Sequence, residues 1–206
     1  MDYPSTGSQT ELQAVNEILA SVGQAPVNSL EQSNPDVAIA YNTLNEVTRE
    51  VQADGWTFNK EYDYPFKPDA DNHIVIPNNV IQLKLSAKYP EYGNKNAVRR
   101  KGKLYDRNNH TDDWGQEVVY CDVIWAFDWE DVPLTIQNYI TARAAAIVSS
   151  RIVGDETQYQ QLQQKEMMCR AAAIEYECTQ GNNTFFGSPP GQNYYTSYQP
   201  FHALYR

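Results

Sequence analysis

The chain has 206 residues with 16 basic and 26 acidic side chains, a formal charge of −10, so it is long enough for one cored domain and repels nucleic acid overall. Its three cysteines, Cys121, Cys169 and Cys178, are too sparse and too odd in number for a disulfide framework and fit a reducing compartment. No stretch approaches the roughly 18 apolar residues that a membrane-crossing helix needs, and the start MDYPSTGSQTELQ has no apolar signal core, so the sequence reads as a soluble protein without membrane insertion.

Taken in chain order, the first helix is expected over about residues 9–22. Ser8 and Glu11 have capping-box spacing. Leu12, Val15, Ile18, Leu19 and Val22 then repeat at helical spacing, and Gly23 and Pro26 stop the helix. A second helix, about 35–54, opens with Asn34 as N-cap and Pro35 at the first helical position. Val37, Tyr41, Leu44, Val47 and Val51 form its stripe, and Gly55 ends it.

From about 56 to 130 the pattern turns to β. Candidate strands are 62–66, 73–76, 80–85, 103–106 and 117–127, the last with a break near Asp122. Pro65, Pro68, Pro77 and Pro90 and the turns at Asn78-Asn79 and Asn108-Asn109 separate them. A small antiparallel sheet between helices is expected.

A third helix, about 132–153, has Pro133 in its first turn and Leu134, Ile140, Ala144, Ile147 and Ile152 at helical spacing before Gly154. Ala142 and Ala144 to Ala146 let a neighbouring helix approach closely. The fourth helix, about 156–178, follows with Asp155 as N-cap and Gln158 at the capping-box position. The connection at Gly154 is so short that the third and fourth helices must be antiparallel neighbours. Tyr159, Leu162, Glu166, Cys169, Ala173 and Tyr176 mark one face of the fourth helix. Glu156, Gln160, Gln161, Gln163, Gln164 and Lys165 make the other polar. Cys169 and Cys178 are nine residues apart, which puts them on nearly opposite faces of this helix. The fold class is therefore α+β: a four-helix bundle with an antiparallel β-rich insertion between helices 2 and 3. Residues 1–179 form a single domain, followed by an extended C-terminal arm over 180–206.

The arm, GNNTFFGSPPGQNYYTSYQPFHALYR after Gln180, contains no acid in an acidic protein and has no period of its own. Phe185, Phe186, Tyr194, Tyr195, Tyr198, Phe201 and Tyr205 are costly to leave in water. One reading is an arm that orders against a partner, the other a terminus that folds back over its own core; aromatic anchors favour the partner. The fifteen tyrosines of the whole chain suit surfaces buried on assembly in the same way. Lys95, Arg99, Arg100, Lys101, Lys103 and Arg107 form the one basic cluster, across an expected hairpin. It fits DNA phosphates or an acidic protein surface; the acidity of the remainder favours the protein partner.

Little points to catalysis. His73, His110 and His202 are isolated from one another, and no metal, phosphate-loop or nucleophile-elbow motif is present. The run Asp106 to Glu117 resembles a calcium loop in count but has Thr111 where the turn glycine belongs and His110 where an oxygen ligand belongs. A polar hairpin turn explains it more simply. Carboxylate pairs such as Asp69 with Asp71 and Glu130 with Asp131 have the residue type of a glycosidase, but nothing singles out a raised-pKa acid. The chain reads as a non-enzyme without cofactor or metal. A tail-associated nucleic-acid-binding accessory protein and a cell-wall hydrolase stand as alternatives.

The run Ala14 to Leu30, AVNEILASVGQAPVNSL, closely resembles the N-terminus of the tail tubular protein A family, the head-to-tail adaptors of short-tailed autographivirus-type phages. Val15, Asn16, Ile18, Leu19, Gly23, Pro26 and Val27 fill the family pattern. Gly55-Trp56-Thr57-Phe58-Asn59 fills a second motif, and Leu104-Tyr105-Asp106-Arg107 a looser third. The resemblance implies a virion protein of the phage tail, assembled in the host cytoplasm as a homo-oligomeric ring, usually twelve-fold, below the portal protein. It implies contacts with the portal, the tail nozzle (tail tubular protein B) and the tail fibres, and passage of genomic DNA through the lumen. It further implies that the C-terminal arm docks on the portal and that the β insertion, with its basic hairpin, faces the nozzle, the fibres or a neighbour.

Overall fold

The structure is a computed structural model, and it describes residues 9–31, 34–89, 92 and 95–181. Two helices, α1 (Glu11–Ser21) and α2 (Pro35–Ala53), precede five strands, β1 (Lys60–Phe66), β2 (Val80–Leu85), β3 (Ala97–Arg100), β4 (Lys103–Asp106) and β5 (Val119–Trp125). A 3-10 turn at Trp129–Asp131 leads into α3 (Leu134–Ile152) and α4 (Glu156–Gln180). The architecture is mixed α+β.

α1 starts two residues later than its sequence suggests. Thr10 is the N-cap: its hydroxyl accepts from the Gln13 amide at 3.2 Å while Gln13 Oε1 accepts from the Thr10 amide at 3.0 Å. Ser8 lies outside the described residues. The start is fixed by tertiary contacts on Gln9, whose amide donates to Gln137 Oε1 at 2.9 Å and whose carbonyl accepts from Trp129 Nε1 at 2.5 Å. The far end closes as expected. Gly23 sits at φ +76°, its amide donates to the Ala20 carbonyl and that of Gln24 to the Leu19 carbonyl, a pair of bonds that satisfies the last orphan carbonyls. α2 opens as its sequence dictates, with Asn34 Oδ1 accepting from the Asp36 amide at 3.0 Å and Pro35 in the first turn.

Two expectations for the later helices change. Pro133 is the N-cap of α3 rather than part of its first turn. Asp155 caps α4 through the Thr157 amide at 3.2 Å, but Gln158 does not close a box; its amide instead donates to the Ser21 carbonyl and ties α4 to the end of α1.

α3 is the central helix. Ile136, Gln137, Tyr139, Ile140, Thr141, Ala142, Ala144, Ala145, Ala146, Val148 and Ser149 are all buried, which leaves almost no polar face. Its alanines allow the other helices to close around it. Ala14, Val15, Ile18 and Leu19 of α1 and Val37, Ala40, Leu44, Val47 and Val51 of α2 pack on it in one core with Trp56 and Trp129. Burial of each leucine or isoleucine there stabilises by about 1.5–3 kcal/mol. α4 joins through Ala173 and the half-buried Leu162 and Cys169.

Among the described residues the β segments form two sheets, not one. β1 and β2 pair antiparallel on either side of β5, and β3 with β4 makes a separate hairpin. β3 was not expected as a strand. The run 73–76 was, but it contributes only an isolated bridge, Val75 to Lys103, although Ile74 and Ile76 are buried. β5 runs unbroken through Asp122 because that side chain is satisfied in place: Lys84 Nζ lies 3.3 Å from its carboxylate and the Asp63 amide donates to it at 3.2 Å. A second core that includes Phe66, Ile74, Ile76, Val80, Leu104, Trp114, Val119, Cys121, Val123 and Trp125 joins the three-stranded sheet to the hairpin.

Candidate functional site

The residues that carry the sequence resemblance are architectural. Asn16 explains why an amide stands in a helix otherwise chosen for its apolar face. Its Nδ2 donates to the Val27 carbonyl at 2.9 Å and its Oδ1 accepts from the Val27 amide at 2.7 Å. The side chain thus mimics a strand pair and pins the α1–α2 connection. Val15, Ile18 and Leu19 are buried beneath it, and Val27 packs against the same core while Pro26 is exposed.

The second motif is the joint between the two cores. Gly55 turns the chain at φ +77°, and a Cβ there would lie 2.6 Å from Ile124 Cδ1. Trp56 Nε1 donates to the Val51 carbonyl at 2.7 Å. Asn59 is fully buried; its Nδ2 donates to the carbonyls of Gln52 and Trp125, both at 2.8 Å. Gln52 repeats the two-way amide pattern on Phe127, donating at 3.0 Å and accepting at 2.7 Å, and Phe58 meets the Phe127 ring at 6.2 Å. Helix α2, strands β1 and β5 and the entry to α3 are thereby fixed to one another. Sequence reasoning missed a further tie here. Both oxygens of Glu177 on α4 accept from the Thr57 amide at 2.9 Å, and Oε1 also accepts from its hydroxyl at 2.6 Å.

The basic cluster does gather on the β3–β4 hairpin, but several of its cations serve the fold. Arg99 donates to the Val80 carbonyl at 3.3 Å and to Asn78 Oδ1 at 2.8 Å. Lys103 Nζ stands 2.9 Å from His73 Nδ1, and the other ring nitrogen is 3.5 Å from Asp112. Arg100 stacks 4.0 Å above the Tyr105 ring, and Lys95 is 5.4 Å from the Trp114 ring. Lys101, at φ +51° in the two-residue turn with Gly102, and Arg107 are exposed. The hairpin is a pinned basic rim rather than a loose basic loop.

The cation candidate at 106–117 is accounted for by its own turn. Burial acts to raise the Asp106 carboxyl, but donation from the Asn96 and Asn108 amides, both at 3.0 Å, and from Asn109 outweighs it and holds the group below the ordinary carboxylate range. Those donors occupy the oxygens a cation would need, and Glu117 is exposed. Asp69, Asp71 and His73 also bring ligand atoms within 4.8 Å of one another. Asp69 Oδ1, however, accepts from the Asp71 and His73 amides, and the Lys103 ammonium already adjoins the His73 ring, which is the chemistry of a turn. Burial pushes the Cys121 thiol up to about 12, with Asp122 adding to the effect, so it is inert.

The aromatic arm residues Phe185, Phe186, Tyr194, Tyr195, Tyr198, Phe201 and Tyr205 lie outside the described residues. The outward face of α4 was expected to be polar, and only its first half is. Met167 is 70% exposed, Met168 73% and Ile174 49%, with Ala171 and Cys178 also exposed. The signal was present in the sequence as a second row of 3.5-residue spacing, overshadowed by the glutamines that begin it. No described helix is long and apolar enough to cross a membrane.

Comparison with known proteins places the chain in a family. A family model described as tail tubular protein matches residues 12–183, from the first turn of α1 to just past α4. The chain is also 29% identical over 140 residues to tail tubular protein A of Klebsiella phage KP34, an alignment covering 65% of this chain and 70% of that protein. A match over so much of the fold assigns the chain: it belongs to the tail tubular protein family and is a structural component of the phage virion tail.

Proposed function

We propose that the protein is a head–tail adaptor, without enzymatic activity, whose copies close into a ring, twelve-fold as in related adaptors, between the portal and the tail nozzle. The family match running from α1 through α4 carries this reading, because it covers both the helices and the β insertion rather than one motif. In this assembly the four helices act as the bundle that builds the ring wall. The β insertion with its pinned basic rim, Lys95 to Arg107, meets an acidic surface on the nozzle protein, the tail fibres or a neighbouring subunit. Because α4 runs to Gln180 and is capped at Gly181, the arm is the stretch 182–206, and it anchors on the portal through its aromatic residues. The net charge of −10 suits a lumen along which genomic DNA must slide without adhering.

Electron microscopy of the purified protein, alone and mixed with portal, tests the reading. A ring stacked on the portal is expected. Portal particles that remain bare beside free monomers overturn it.

A further inference from the structure

The last turns of α4 are built against the chemistry of a helix end. Glu175 and Glu177 place two carboxylates there and no basic residue joins them in the last turn, although the carbonyl end of a helix carries a partial negative charge. Gly181, at φ −68°, stays right-handed and closes the helix through one amide bond to the Glu177 carbonyl at 2.8 Å, without the left-handed turn that would satisfy further carbonyls. Burial adds little, since of the 25 residues of α4 only Ala173 is fully buried. The polar ties are uneven too. Gln158 and Lys165 fasten the first half to Ser21 and Glu17 of α1. From Met167 to Gln180, the one side chain that bonds to a described residue outside α4 is Glu177. Its carboxylate accepts from the Thr57 amide on both oxygens at 2.9 Å and from the Thr57 hydroxyl at 2.6 Å. A carboxylate that weakens its own helix, yet is met by both donors Thr57 has, is placed there for Thr57.

We infer that Glu177 is a latch: it holds the second half of α4, Met167 to Gln180, as a strap against the joint between the two cores, and this strap opens as a unit while the other helices stay folded. A segment with one fully buried side chain and one outward polar tie has little else to keep it closed, and such segments open locally at low free energy. Thr57 stands between Gly55 and Asn59, in the motif that fixes α2 to β1 and β5, so strap and joint share one carboxylate. A shift of either changes the hold on the other, because coupling between two sites is reciprocal. In the adaptor reading, on which this consequence alone rests, a partner that grips 182–206 loads the latch before any other described tie of α4, and Thr57 passes that load to the β insertion.

Hydrogen exchange of the full chain, without partners, tests the latch at the amides of 174–181 against those of α3. A surface carboxylate without this role predicts slower exchange in Glu177→Ala, because alanine is the better helix former and an ill-placed charge is gone. The latch predicts the opposite sign. Exchange at 174–181 and at the Thr57 amide should be faster by about tenfold, the lower end for charged hydrogen bonds because the carboxylate is partly exposed. Exchange in α3 should be unchanged. Thr57→Val keeps the amide bonds and loses the hydroxyl one, so it should give a smaller rise, and adding it to Glu177→Ala should give no further one. Slower or equal exchange at 174–181 in Glu177→Ala overturns the proposal. An equal rise in α3 overturns it too, since the opening is then global, as does full additivity of the two substitutions, which means they act apart. Portal particles left bare under the microscope reject the adaptor reading and leave the latch standing. Ring-bearing portal together with unchanged exchange does the reverse.

Discussion

At the scale of single residues, amides do the joining. Asn16, Gln52, Asn59 and Gln137 each reach across from one segment to the backbone of another, and the last three are fully buried or nearly so. An amide can give and receive at once, so it replaces a backbone partner where no strand or helix can supply one. The cost of removing it is asymmetric, because both backbone groups it served are left unpaired. Asn16→Ala is therefore expected to destabilise the protein by about 1–3 kcal/mol, read as a lower denaturant midpoint at unchanged slope. It should also release the 22–30 connection, read as faster hydrogen exchange at the Val27 amide. Equal exchange in both proteins would show that the packing of Val27 and Leu30 holds the connection without the amide. None of these roles is visible in a hydrophobic pattern, since pattern reading treats a polar residue in an apolar run as an interruption. Asn16 was legible through family resemblance alone.

At the scale of elements, local chemistry predicted what it controls. The start of α2 follows from Asn34-Pro35, the end of α1 from Gly23, and the bounds of β2 and β4 from β-rich runs between turn residues. β3 was illegible because Val98-Arg99-Arg100 becomes a strand through its partner β4, its turn at Lys101-Gly102 and the Arg99 bonds to the 78–80 loop. The capping of α1 was ambiguous because Ser8 with Glu11 and Thr10 with Gln13 have the same spacing; long-range bonds at Gln9 decide between them. The hairpin also has a pH signature. Asp106 is held below its ordinary value of 3.8, so its stabilisation is complete above that value and is lost as the pH falls through the depressed native one. Asp63, depressed chiefly by the Ser86 hydroxyl against burial, and Asp69, depressed chiefly by the His73 amide, act in the same direction within the same β region. Acidification from neutral pH is expected to open the β insertion while the helical core persists. The readout is exchange at the Asn96 and Asn108 amides rising before that of α3. Asp106→Asn should lower stability at neutral pH and flatten this response; an unchanged acid profile in that variant would assign the transition elsewhere.

At the scale of the whole molecule, the two cores account for the described chain up to the end of α4. Every buried side chain of the two clusters lies between Ala14 and Trp125 or between Trp129 and Ala173, and α4 finishes with the Gly181 amide donating to the Glu177 carbonyl at 2.8 Å. The last tie of α4 to the rest, Glu177 on Thr57, also precedes the tail. Residues 182–206, which lie outside the described residues, carry seven aromatic side chains and no acid in a chain of net charge −10. A segment that carries so much apolar ring surface with no helical or strand period of its own is suited to act outside its own domain. Deleting 182–206 is expected to leave the helical circular dichroism and the melting temperature close to those of the full chain while abolishing co-sedimentation with the portal. A truncated chain that still binds the portal would move the anchor onto the folded domain, and one that melts early would show that the tail covers its own core.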